Sequence, residues 1–139
     1  MDEMALLVAD IFELAGALRR SGEALAATEG QTQARWQLLS AVSADGMTVA
    51  RAARRLGITR QAVQRVGNDL VAEGLAEYAD NPDHRTSPLL VLTERGRHLL
   101  SAINRRAAAS NRRLAKAVGS EAVADTRAGV RQLIAALVQ

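Results

Sequence analysis

Arginine and glutamine side chains recur along one predicted helix, residues 60–73, at positions that share a single face. Counted from Arg60, the polar residues Gln61, Gln64, Arg65 and Asn68 follow at spacings of one, four, five and eight, which match the period of an α-helix. In the major groove of DNA, arginine donates to guanine O6 and N7, and glutamine pairs with adenine N6 and N7. The face therefore has the chemistry to contact base edges, and a merely solvated helix face is the alternative.

The residues before this helix predict a helix-turn-helix. Such a motif needs a tight end to its first helix, a buried residue in the turn and a cap on the second helix. Thr48 is expected to cap the first helix and Gly57 to end it. Ile58 is then the expected buried residue, and Thr59 the cap of the second helix.

A β-hairpin is predicted after the second helix. Residues 75–78 and the apolar run 89–92 have strand character, and the segment between them is rich in turn formers. Pro88 at the start of the return strand fits an edge position, because proline lacks a backbone N–H. The hairpin completes a winged helix-turn-helix, and an arginine at its tip, Arg85, can enter a narrow minor groove. We expect Asp83 to hold Arg85 through an ion pair; the alternative is that Asp83 is only a turn residue.

Further helices are predicted on both sides of this core. Apolar residues recur at three- and four-residue steps from Met4 to Leu18, which indicates an amphipathic helix over about residues 4–27. The other helices are predicted from capping residues and terminating glycines: 33–42 after Thr32, 94–118 after Thr93, and a last helix capped by Ser120. One winged domain of 139 residues cannot bury the stripes of its outer helices alone, which predicts a homodimer.

The composition excludes several kinds of chemistry. With no cysteine, the chain has no disulfide, thiolate metal site, nucleophilic thiol or cysteine redox switch. His84 and His98 are isolated, so no metal site is expected. The chain has no P-loop, His-Glu-x-x-His or Gly-x-Ser-x-Gly motif. We therefore expect no catalytic residues, no cofactor and no enzymatic activity.

Charge is distributed unevenly along the chain. The net charge is +3, but residues 1–45 carry −4 and residues 46–139 carry +7, so a nucleic-acid partner is compatible with the second part. From the acidic start, and from Asp10 and Glu13 in the apolar run that follows, we expect no signal peptide and no membrane span. A cytoplasmic protein that does not bind membranes is the expectation.

Residues 48–75 and the wing after them resemble the MarR family of bacterial transcription regulators. The motifs that match are Leu-Gly-Ile-Thr at 56–59, Glu-Gly-Leu at 73–75, Asp-x-Arg at 83–85 and Leu-Thr-x-x-Gly-Arg at 92–97. The match is detailed over residues 32–100, and the flanking helices agree in number and length. Family members often carry serine or threonine at the positions of Ala62 and Gln64, so the operator sequence does not transfer. They often carry a second wing arginine at the position of Thr86, so fewer wing contacts to phosphate are expected here.

The resemblance implies a mainly α fold, a winged helix-turn-helix with flanking dimerisation helices and a small β-hairpin wing. A single domain over residues 1–139 would have its winged core at 32–100 and its dimerisation helices at 1–27 and 101–139. It implies a homodimeric, ligand-responsive repressor on a palindromic double-stranded DNA operator, with helix 60–73 in the major groove and Arg85 in the minor groove. The predicted DNA-binding residues are Thr48, Thr59, Arg60, Gln61, Gln64, Arg65, Asp83 and Arg85.

Many family members release DNA when a small aromatic or phenolic effector binds between the dimer helices and the winged domain. Phe12 and Trp36 lie on helices that line this pocket in the family, so both are candidate ligand-binding residues, with a role in the core as the alternative. Three arginines of the first motif helix, Arg51, Arg54 and Arg55, either contact phosphate or only solubilise the surface. The alternative function is a winged-helix adaptor that binds another protein. A protein-binding face should be apolar or acidic, whereas the polar face of residues 60–73 carries arginine and glutamine.

Overall fold

A computed structural model describes residues 2–138 as six helices and three short strands. The helices are α1 (Glu3–Ala27), α2 (Gln33–Val42), α3 (Val49–Leu56), α4 (Arg60–Ala72), α5 (Glu94–Val118) and α6 (Ser120–Leu137). The strands are β1 (Met47–Thr48), β2 (Ala76–Ala79) and β3 (Leu89–Leu92). The predicted class, a mainly α winged helix-turn-helix with a small β-wing, is confirmed.

Threonine caps fix the starts of α2 and of the two motif helices, α3 and α4. The hydroxyl of Thr32 accepts from Arg35 N at 3.2 Å, and the hydroxyl of Thr48 accepts from Arg51 N at 3.2 Å. Thr59 Oγ1 accepts from Ala62 N at 3.1 Å. Each cap satisfies one of the backbone N–H groups that a helix start leaves unpaired, so the predicted starts of α2, α3 and α4 are confirmed.

The turn between α3 and α4 differs from expectation in one residue. Gly57 ends α3 at φ 70°, a left-handed conformation that glycine adopts without steric cost. The backbone N–H groups of Gly57 and Ile58 both donate to Ala53 O, at 2.9 and 3.1 Å. Ile58 is 46% exposed, so its predicted burial is wrong: these backbone bonds close the turn without an inserted side chain.

The wing belongs to a three-stranded antiparallel sheet in the order β1-β3-β2. Leu90 of β3 pairs with Tyr78 of β2 on one side and with Met47 of β1 on the other. The return strand β3 is therefore central, and the edge position inferred from Pro88 is wrong. Pro88 lies just before β3, where its missing N–H interrupts no ladder. The two-residue strand β1 was too short to give a sequence signal.

A single apolar core joins the motif to the sheet. Its fully buried large side chains include Leu38 and Leu39 of α2, Val63 and Leu70 of α4, and Leu90 of β3. The start of α5 seals this core against the residues that follow α4. Thr93 N donates to Leu75 O at 3.2 Å, and Thr93 Oγ1 donates to Gly74 O at 2.7 Å.

The first turn of α5 approaches the backbone so closely that only glycine fits. A Cβ at Gly96 would overlap the carbonyl of Leu75. Thr93 Oγ1 also accepts from Gly96 N at 3.1 Å, which confirms Thr93 as the helix cap. The glycine of the Leu-Thr-x-x-Gly segment is thus required by packing against Leu75, a contact that the local sequence does not reveal.

The chain divides into two compact units, one ending at Asn104 and the other beginning at Arg105. In the first unit, α1 leaves large apolar side chains exposed, including Leu7, Phe12 and Leu18. In the second unit, α6 exposes Val130 and Ile134. Within residues 2–138, no helix combines the length and apolar character that crossing a bilayer requires.

The last helix starts differently from prediction. Ser120 is the first residue of α6 and not its cap; Gly119 precedes the helix at φ 100°, and no side chain caps it. A glycine at this φ places Ser120 inside the helical turn.

Candidate nucleic-acid interface

The helix α4 separates its buried and polar faces cleanly. Val63 and Leu70 lie in the core, and Gly67 is buried between them. On the opposite side, four of the predicted site residues are exposed: Arg60, Gln61, Gln64 and Arg65. The two arginines place positive charge at the start and middle of the helix, so this surface offers both phosphate-binding and base-binding groups.

A groove of about 470 Å³ lies alongside this helix. The start of α3, the polar side of α4, the strand β2 and the end of the wing contribute to its walls. The groove brings together the site residues Thr48, Arg60, Gln61 and Gln64, and adds Tyr78, Thr86 and Ser87. Four predicted site residues, Thr59, Arg65, Asp83 and Arg85, are not among its lining residues, so only part of the predicted site converges here.

Gln64 is held by a closed triangle of hydrogen bonds. Its amide nitrogen Nε2 donates to Tyr78 OH at 2.7 Å and to Asn68 Oδ1 at 3.0 Å. Tyr78 OH in turn donates to Asn68 Oδ1 at 2.8 Å. Burial raises the pKa of Tyr78, and the hydrogen bond from Gln64 opposes that increase in part. The phenol is therefore protonated at neutral pH and can donate.

Sequence reasoning missed Tyr78 as a site residue and gave Asn68 no role beyond its place on the polar face. Gly67 held the only local signal, because a glycine inside a helix often marks a close approach. A Cβ at Gly67 would lie 3.3 Å from Tyr78 OH and 3.3 Å from Leu90 Cδ2. The glycine thus makes room for the tyrosine that reaches Gln64 from β2.

The wing tip is organised by Asn81 and not by an ion pair. Asn81 Nδ2 donates to Ser87 O at 3.0 Å, and Asn81 Oδ1 accepts from Asp83 N at 3.1 Å. Asp83 and Arg85 are both exposed. Among the described residues these two side chains form no ion pair, so the expected pin is wrong and Asp83 is a turn residue. Arg85 extends from the tip as an exposed cation.

The candidate effector residues have different environments. Phe12 is 72% exposed, so its alternative role in the core is wrong for the single chain. Trp36 is half-buried against the core, and its Nε1 donates to Asn104 Oδ1 at 3.1 Å. Neither residue lines the groove beside α4.

The arginines on and next to α3 lie at the protein surface. Arg51, Arg54 and Arg55 are exposed on or next to the outer side of α3, which suits either phosphate contact or solvation. In residues 2–138, no three His, Cys, Asp or Glu side chains are grouped as a metal site would require.

Comparison with known proteins places this geometry in a family. A family model described as "MarR family" matches residues 30–85, which include α2, the helix-turn-helix and the wing tip. The chain is 66% identical over 136 residues to the uncharacterised protein Rv2011c of Mycobacterium tuberculosis, covering 98% of this chain and 95% of the relative. The protein Mb2034c of Mycobacterium bovis matches to the same extent.

Solved structures share the fold at low identity. A MarR/EmrR family regulator from Acinetobacter sp. ADP1 superposes with a TM-score of 0.86 at 20% identity, covering 100% of this chain and 99% of the other. CouR from Rhodococcus jostii RHA1, bound to p-coumaroyl-CoA, gives 0.80 at 19% identity, covering 95% and 92%. PcaV from Streptomyces coelicolor, in complex with its natural ligand, gives 0.71 at 22% identity, covering 89% and 91%.

Proposed function

Because this chain belongs to the MarR family of transcriptional regulators, we propose that it binds DNA sequence-specifically as a homodimer. In this proposal α4 enters the major groove of a palindromic operator, and Arg85 enters the adjacent minor groove. One observation carries the proposal: the exposed arginine and glutamine face of α4 borders a groove that also includes Thr48 and the base of the wing.

The charges of this surface suit the DNA backbone. Arg60 and Arg65 are exposed on α4, and the segment 46–139 carries a net charge of +7. Phosphate contacts supply most of the salt-dependent affinity of such proteins, and base contacts supply the sequence preference. We assign the first role to Arg60 and the second to Gln61, Gln64 and Arg65. In this proposal Thr48 and Thr59 position the starts of α3 and α4 against the DNA backbone.

Unpartnered apolar surface supports the homodimer. The exposed stripe of α1 holds Leu7, Leu14 and Leu18 beside Phe12, the most exposed of the four. Large exposed apolar patches on soluble chains mark interaction surfaces. In the proposed single domain, residues 1–27 and 101–139 supply the dimerisation helices. Two copies related by a two-fold axis would place their α4 helices about one DNA turn, roughly 34 Å, apart.

A small aromatic or phenolic effector is the proposed signal. CouR binds p-coumaroyl-CoA, and PcaV binds a natural ligand, so proteins of this fold can hold small molecules. We place the effector near Phe12 and Trp36, where its binding would release DNA and relieve repression. A regulator of this kind needs neither a catalytic residue nor a cofactor.

A protein-binding adaptor is the alternative, and the character of the exposed face disfavours it. Protein interfaces are depleted of charge at their centre and enriched in apolar and aromatic side chains. The polar side of α4 instead presents two arginines and two glutamines. A partner protein that carries acidic residues would be needed to match it.

Selection of bound sequences from random DNA tests the proposal directly. We expect enrichment of a pseudo-palindrome, and binding whose affinity falls steeply as salt increases. The matched control is a variant that carries Arg60→Ala and Arg65→Ala together, which should lose both enrichment and affinity. Absence of enrichment, together with salt-independent retention on DNA, would contradict the function and favour the adaptor.

A further inference from the structure

The hydrogen-bond triangle around Gln64 restricts what this side chain can offer to a base. A glutamine amide has two N–H donors on one atom and a carbonyl acceptor on the other. The amide nitrogen that carries both donors of Gln64 already contacts two acceptors, Tyr78 OH at 2.7 Å and Asn68 Oδ1 at 3.0 Å. Among the described residues, the carbonyl oxygen Oε1 has no such partner and is left to accept.

We propose that Tyr78 and Asn68 are positioning residues that make Gln64 an acceptor-only contact in the major groove. This inference rests on the proposed function. A free glutamine selects adenine by accepting from N6 and donating to N7 at once. With its donors engaged, Gln64 instead selects an exocyclic amino group, which both adenine N6 and cytosine N4 provide. One position of each half-site therefore accepts adenine or cytosine on the contacted strand.

The triangle is supported from beneath by the packed core. Tyr78 lies on β2, paired with the fully buried Leu90, so its backbone is fixed by the sheet. Gly67 leaves the space that the phenol occupies, since a Cβ there would lie 3.3 Å from Tyr78 OH. Asn68 is one helical turn beyond Gln64 on α4 and meets both groups. Two separate elements, α4 and β2, thus hold the amide in one orientation.

The groove places this acceptor among the other proposed DNA contacts. Gln64 and Tyr78 line it together with Arg60, Gln61 and Thr48. Gln61 is exposed on the same helix face, and in the described residues it has no hydrogen bond to Tyr78 or Asn68. Gln61 is therefore the matched control, a glutamine whose donors are not engaged by the triangle.

Modified bases test which atoms Gln64 contacts. The half-site position is first located as the one whose preference disappears in Gln64→Ala, and Gln61→Ala should affect a different position. At that position, replacing adenine with purine removes the amino group and should weaken wild-type binding about fivefold, the loss of one hydrogen bond. Replacing adenine with 7-deazaadenine removes N7 and should change affinity less than twofold.

Two variants release a donor from opposite sides of the triangle. Tyr78→Phe keeps the ring and removes the hydroxyl, and Asn68→Ala truncates an exposed side chain, so the two report independently if one is poorly folded. In both, the adenine-to-cytosine preference at this position should rise about fivefold, and sensitivity to 7-deazaadenine should appear. Affinity for nonspecific DNA should not change, because neither residue is charged.

The outcomes distinguish a failure of this inference from a failure of the proposed function on which it rests. If the wild type lost as much affinity with 7-deazaadenine as with purine, the acceptor-only contact would be overturned. Variants whose base preference equals that of the wild type would overturn the positioning role of Tyr78 and Asn68. A wild-type protein that enriches no sequence at all would contradict the proposed function itself.

Discussion

Replacing Gly96 with alanine should destabilise the protein, because the first turn of α5 leaves no room for a side chain there. The added Cβ would overlap the carbonyl of Leu75. That oxygen also accepts from Thr93 N at 3.2 Å, so it cannot move away without breaking a bond. Alanine in a helix gains about 0.5–1 kcal/mol over glycine, whereas overpacking costs about 1–3 kcal/mol or more. The overlap is with a backbone atom, which puts the overpacking cost at about 3 kcal/mol, so the net loss should be about 2–2.5 kcal/mol.

Chemical denaturation followed by far-UV circular dichroism measures this change, at one fixed protein concentration. We expect Gly96→Ala to unfold at lower denaturant than the wild type with an unchanged slope. The matched control is Gly129→Ala in α6, where nothing lies within 4 Å of the added Cβ, and which should be neutral or slightly stabilising. If Gly96→Ala were as stable as this control, the close approach would not be rigid and the packing argument would be refuted.

Four further predictions concern the proposed interface and its surroundings. Arg65→Ala should cost about 1–3 kcal/mol of operator binding and relax one base position per half-site; an equal loss on all sequences would make it a phosphate contact. Arg85→Ala should cost about 1–2 kcal/mol on operators with A·T-rich flanks and reduce the salt slope by about one unit, and an unchanged titration would mean that the wing stays outside the groove. The pKa of Tyr78 is raised above 10.0 in the folded state, so the stability of the wild type relative to Tyr78→Phe should be constant below about pH 10 and decrease as pH rises through the folded pKa. Denaturation of both proteins at pH 8 and pH 11 measures this change. A stability advantage of the wild type that is larger at pH 11 than at pH 8 would contradict the raised pKa. Phe12→Glu should shift the protein from dimer to monomer in sedimentation at micromolar concentration, and an unaltered dimer would exclude the stripe of α1 from the interface.

Local sequence determined most of the secondary structure. Helix starts at Thr32, Thr48 and Thr59 are set by a hydroxyl that bonds a backbone N–H three residues later, an interaction entirely within one short segment. Gly57 ends α3 for a similarly local reason, its positive φ. The polar face of α4 also followed from spacing alone, because helical periodicity needs no tertiary contact.

Contacts between distant segments decided the rest. The sequence did not predict that β3 is the central strand, because the partner β1 is only two residues long and pairs across more than forty residues. Ile58 is exposed, and the turn is closed by backbone hydrogen bonds to Ala53. The apolar type of residue 58 does not indicate that backbone bonds close this turn. Asp83 was expected to bind Arg85 on proximity in sequence, but Asn81 organises that turn instead.

The orientation of Gln64 shows the same division most clearly. Its residue type and its place on the outer face of α4 could be inferred from the sequence. Its amide nitrogen donates to Asn68, one turn away, and to Tyr78, fourteen residues away on β2. Gly67 eases the second of these contacts, because a Cβ there would lie 3.3 Å from Tyr78 OH. Sequence therefore determined which side chain faces the groove, whereas the packing of β2 against α4 decided which of its atoms is free to bind.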